Sequence, residues 1–107
     1  MAWLMLLAAA GLEIVMGVAL KLNEGWTRAL PSAVAVGAGL GSIYLLAKAL
    51  QTLPVGTAYA IWTGLGALGL VVIGIAAFGE SMHWQRLLFL AITAAGLIGL
   101  RYVEAGG

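Results

Sequence analysis

Cysteine is absent from this chain, so neither a disulfide framework nor a thiolate metal site is available. Charge is scarce as well. Only 8% of the 107 residues are Asp, Glu, Lys or Arg, against about 25% in an ordinary soluble domain. That is too little to coat a water-facing surface. A net charge of +1 with no cluster of Lys and Arg argues against nucleic acid as a partner. The one histidine, His83, and the acids Glu80 and Glu104 fall in loops or the tail, and nothing is spaced to hold a metal. There is no Ser-His-Asp or Cys-His set, so no enzymatic activity and no cofactor are expected. Gly37-Ala-Gly39-Leu-Gly41 and Gly64-Leu-Gly66 lie in apolar surroundings with no strand before them, which excludes a phosphate or dinucleotide loop.

What remains is apolar. Hydrophobic residues make up 64% of the chain, and the mean hydropathy is +1.11. The lipid bilayer is the plausible solvent, and the length allows one domain, 1–107. A membrane helix needs about 20 predominantly apolar residues. Charges and prolines divide the chain into four such pieces, at about 2–21, 30–48, 55–78 and 84–103. The fourth is the shortest between charges, and Arg86 and Arg101 can snorkel to the headgroups. Ala8-Ala9-Ala10 resembles a small-residue cleavage site. No basic segment precedes it, however, and apolar sequence resumes past Glu13, so the first piece reads as a retained helix. The expected fold is an all-α membrane protein with four transmembrane helices per subunit.

Orientation in a membrane follows Lys and Arg in short loops. Lys21, Arg28 and Arg86 fall on one side, Lys48 and Arg101 on the other. So weak a bias lets both orientations insert and makes an antiparallel homodimer possible. Ala91, Ala95 and Gly99 repeat at four-residue spacing, a pattern that lets helix backbones approach closely. They are candidates for a dimer contact, although Gly and Ala are common in all membrane helices.

From Met1 to Leu20, Glu13 is the only charged side chain. Placing a charge at that depth costs from about 3 to more than about 10 kcal/mol. Such a residue faces a bundle interior or a water-filled cavity. No basic residue lies mid-span to pair with it, so a cation or a proton is the expected ligand. Met16 and Gly17, with Ala9 and Ala10, share its helix face. Tyr59 and Trp62 share a face of the third helix, where aromatic rings can attract a cation. Gly64, Gly66 and Gly69 follow, and serve either as a hinge or as sites of close packing. Ser42 is a mid-span hydroxyl that either faces the site or bonds back to its own helix.

Glu13 in the first helix, Glu24-Gly-Trp-Thr-Arg28 leading to Pro31-Ser32, and the block Leu53-Pro-Val-Gly-Thr-Ala-Tyr-Ala-Ile-Trp-Thr-Gly64 together resemble the small multidrug resistance family over nearly the whole chain. The continuation through Gly66-Ala-Leu-Gly69 and Phe78-Gly-Glu-Ser81 is more similar to its guanidinium-exporting subtype than to its quaternary-ammonium subtype. The resemblance implies a dual-topology, antiparallel homodimer in a bacterial inner membrane that exports a small organic cation in exchange for protons. It implies that Glu13 binds both proton and substrate, and that Ser42, Tyr59 and Trp62 line the pocket, with Tyr59 gating it. It also implies that Gly64 and Gly66 form a flexible point and that Gly96 lies where fourth helices meet. A broader quaternary-ammonium exporter is the alternative. A non-transporting assembly subunit and a heterodimer with a paralogous chain are further ones.

One position departs from the subtype, which usually carries Trp three residues after the glutamate where this chain has Met16. A thioether is more deformable than an indole and offers no N–H donor. The departure predicts weaker discrimination against bulkier or alkylated cations. Met16→Trp is therefore expected to narrow the range of cations bound; an unchanged range in a binding panel would remove Met16 from the selectivity argument.

Overall fold

Four α-helices, and no strand among the described residues, make up the computed structural model: α1 (Ala2–Leu22), α2 (Ala29–Ala49), α3 (Val55–Ala77) and α4 (Trp84–Gly106). It describes residues 1–106, with side chains through Val103; Gly107 and the Glu104 side chain lie outside the described residues. All four helices are long and apolar enough to cross a membrane.

The helix ends are set by backbone chemistry. After α1 the Asn23 carbonyl accepts the amides of Thr27 (2.9 Å) and Arg28 (3.1 Å), which folds the turn back tightly. Pro31 falls in the first turn of α2, where its missing N–H removes no intrahelical bond. Pro54 caps α3 in an extended conformation. Helix α3 stops at Ala77, one residue short of the expected 78, because Gly79 turns left-handed at φ 67°. The amides of Phe78 and Glu80 then both donate to the Gly74 carbonyl at 3.0 Å. Arg86, in the first turn of α4, pairs with Glu80 of the preceding linker at 2.6 Å and donates to the Ser81 carbonyl at 3.0 Å.

Helix α1 is the centre of the packing, lying against α2 and more lightly against α3, while the backbone of α4 approaches α3 alone. The buried core joins Leu6 and Ala9 of α1, Leu46 and Ala49 of α2, and Ala58 and Ile61 of α3. Elsewhere glycines receive large neighbours: Leu70 lies over Gly17, Ile14 over Gly69 and Leu97 over Gly64. Small residues at such contacts let helices draw close in lipid, where no hydrophobic drive operates between them. The result is a slab with extents of 46 × 35 × 16 Å. No residue of the α4 span is buried.

At these contacts an added Cβ would meet the ends of Leu70, Ile14 and Leu97, which would have to shift. Gly69→Val is expected to destabilise the fold by about 1–3 kcal/mol through overpacking against Ile14. Gly11→Val, where nothing lies within 4 Å of the added carbon, should shift stability by no more than about 0.5 kcal/mol. Equal thermal midpoints of the two variants in detergent would contradict this packing.

Candidate functional site

Glu13 is one residue from the midpoint of α1, which puts its Cα about 1.5 Å along the axis from mid-depth. The cationic side chains are engaged elsewhere, at the helix ends. Arg28 lies 3.5 Å from Glu24 and Arg86 lies 2.6 Å from Glu80. Lys21 stands 5.9 Å from the Phe78 ring centroid, Lys48 5.5 Å from that of Tyr44, and Arg101 4.3 Å from that of Trp3. No hydrogen bond or ion pair among the described residues reaches the Glu13 carboxylate. An acid in that position lacks the counter-charge that would make it a structural pair.

The carboxylate rests against α3 at Gly66, which is itself buried. A Cβ there would collide with Oε1, so only glycine leaves the acid its place. One turn along, in the same direction on both helices, is a polar junction. The Trp62 indole Nε1 donates to Ser42 Oγ at 2.9 Å, and Ser42 Oγ donates to the Ala9 carbonyl at 2.6 Å. Ala9 and Trp62 each precede their partner in the acid contact, Glu13 and Gly66, by four residues, or about 6 Å. The buried Ser42 hydroxyl thus bonds to another helix, not to its own, and ties α1, α2 and α3 together beside the acid. It also fixes the indole plane, which Tyr59 meets edge-on at 5.3 Å and 74°.

The structure brings the expected residues together unevenly. Ser42, Trp62 and Tyr59 form one connected group, and Glu13 sits on Gly66 next to it. Tyr59 itself is half-exposed and seven residues before Gly66, about 10 Å along α3, so its phenol does not converge on the Glu13 of its own subunit. Met16 turns the other way. Its sulfur lies over Gly39 of α2, in a shallow depression shared with Leu20, Trp26 and Ile43. Helix α3 runs unbroken through Gly64 and Gly66, which here receive Leu97 and Glu13. On α4, Ala91, Ala95, Gly96 and Gly99 are all exposed, and added carbons at Gly96 and Gly99 would meet nothing within 4 Å.

Two contacts were not apparent from the residue pattern: Gly66 as the seat of the acid, and Gly39 as the seat of Met16. The signal for the first was present, since Gly66 lies one turn from Trp62 on the same face of α3. Gly66→Ala is expected to displace the carboxylate and weaken cation binding about tenfold, or ~1.4 kcal/mol. Gly56→Ala, with open space around it, should leave binding unchanged. Calorimetric titration of both variants checks this; undiminished affinity in Gly66→Ala would disprove the seat.

Comparison with known proteins identifies the family. A family model described as Small Multidrug Resistance protein matches residues 1–93. A Citrobacter freundii protein named guanidinium exporter is 48% identical over 101 residues, covering 94% of this chain and 96% of its own. Proteins of the same name from Proteus vulgaris, at 48% identity, and Yersinia pestis, at 45%, each align over 94% of this chain and 97% of their own. Four spanning helices and these exporter relatives indicate a multi-pass protein of the bacterial inner membrane. The chain belongs to the small multidrug resistance family.

Proposed function

We propose that this protein is a proton-coupled antiporter that exports small organic cations, guanidinium and substituted guanidinium ions foremost, working as an antiparallel homodimer. The observation that carries this reading is the Glu13 carboxylate, held at mid-depth with no counter-charge in its own chain. The relatives named guanidinium exporter, similar over nearly their whole length, support the substrate class.

The mechanism follows from competition. A carboxylate in this position is neutralised by a proton or by a bound cation. In an antiparallel pair, a two-fold axis in the membrane plane at mid-depth brings the two Glu13 residues to the same level. The pair then titrates as one unit. Exchange follows if the dimer changes its open side when loaded with protons or with cation, and rarely when empty. The same axis carries the two Tyr59 rings to opposite sides of the acids, where each gates one mouth. Ser42 and Trp62 hold the wall beside each acid, with the indole a flat face for a planar cation. Bending of α3 at Gly64 and Gly66 supplies the movement, and Ala91, Ala95, Gly96 and Gly99 of α4 form the contact between copies. Two protons for one monovalent cation moves one net charge, worth about 2.3 kcal/mol per 100 mV, whereas one-for-one exchange moves none.

A broader reading, export of quaternary ammonium and related cations, draws on Met16, whose flexible thioether leans on Gly39 and adds no second ring to that of Trp62 beside Glu13. In proteoliposomes, guanidinium and methylguanidinium are expected to drive proton-coupled currents well above those of tetrapropylammonium. Glu13→Gln should abolish coupling while leaving membrane insertion intact. Equal currents for all three cations would favour the broader reading, and coupled transport by Glu13→Gln would refute both.

A further inference from the structure

Exposed apolar surface carries no message in a membrane helix, since lipid covers it; a cation on that surface with no carboxylate beside it among the described residues does. Between α1, α3 and α4 lies a groove of about 550 Å³. Leu4 and Leu7 of α1, Ile61 and Leu65 of α3, and Leu97 and Ile98 of α4 line it. Its mouth is at the end of the bundle where α1 begins and α4 finishes, and there Arg101 faces Trp3.

Arg101 makes no ion pair among the described residues, unlike Arg28 and Arg86. Among the described residues its partner is the Trp3 ring, whose centroid is 4.3 Å from the guanidinium carbon. A ring contact supplies no conventional hydrogen-bond acceptor, and a guanidinium presents its N–H donors in the fork geometry that matches a phosphate. The side chain therefore stands toward the C-terminal end of α4, from which an arginine can snorkel to the headgroups, above an apolar channel about one helical turn deep. An amphiphile with a negative head and an acyl tail complements both parts.

A second copy of the chain is the competing occupant. The stripe of Ala91, Ala95 and Gly99 lies about a third of a turn or more around α4 from Leu97 and Arg101, and about a sixth from Ile98, at 3.6 residues per turn. A contact between copies on the small-residue stripe leaves the Leu97 and Arg101 side of the groove open to lipid.

We propose that this groove binds one anionic phospholipid, with its phosphate on the Arg101 guanidinium and the upper part of an acyl chain along Leu97 and Leu65. The site is separate from Glu13 and does not depend on the transport reading.

Native mass spectrometry of the detergent-solubilised protein, loaded equally with phosphatidylglycerol and phosphatidylcholine, tests it. Phosphatidylglycerol is expected to be retained preferentially by about fivefold, the preference that one cation near a membrane surface confers. Arg101→Gln should erase that preference and Ile98→Trp should fill the groove and lower retention, with helix content by circular dichroism unchanged in both. Lys48→Gln, at the same end of the bundle, should leave the preference in place. Equal retention of the two lipids overturns the proposal, as does a preference that survives Arg101→Gln or is lost with Lys48→Gln. So does spontaneous disulfide-linked dimerisation of Ile98→Cys in a chain with no cysteine of its own, which would assign the groove to a second copy.

Discussion

An acid in hydrocarbon without a counter-charge is the constraint around which this protein is organised. Each Lys and Arg is engaged at a helix end, by a carboxylate or an aromatic ring, so nothing inside the subunit neutralises Glu13. The surrounding structure accommodates the acid without satisfying it. Gly66 yields space, and the Trp62–Ser42–Ala9 junction locks three helices one turn away. In the proposed exchange, what neutralises it comes from outside, as a proton or as a cation in transit.

Depth matters as much as charge. Two copies of a chain inserted in opposite senses share a level only at the middle of the bilayer. Glu13, one residue from the midpoint of its helix, is placed where the proposed antiparallel pair would bring like residues together. The near balance of Lys and Arg between the two faces is the complementary condition, because a strong bias would fix one orientation. The position of one side chain and the charges of the loops thus bear on the same architecture.

Much of this was legible in the chain. Four helices followed from apolar segments of about 20 residues set off by charges and prolines, a signal that membranes make strong. Glu13 stood out because its cost is large and no partner accompanied it. The lateral arrangement was harder to read. Contacts between membrane helices are made by small residues that recur on every face, so Gly39, Gly64 and Gly66 gave no indication of whether they bend, pack or make room. Ser42 illustrates the limit: its hydroxyl had one acceptor in its own helix and another across the interface, and only the assembled bundle chooses the Ala9 carbonyl. The side of Met16 was equally hidden, because a flexible thioether goes wherever a neighbouring glycine leaves a hollow.

The thinness of the bundle, 16 Å in its smallest extent, bears on what one copy can enclose. A slab about two helices deep is too thin to surround a solute by itself, so the proposed pairing of two copies is also what would wall in a passage beside Glu13.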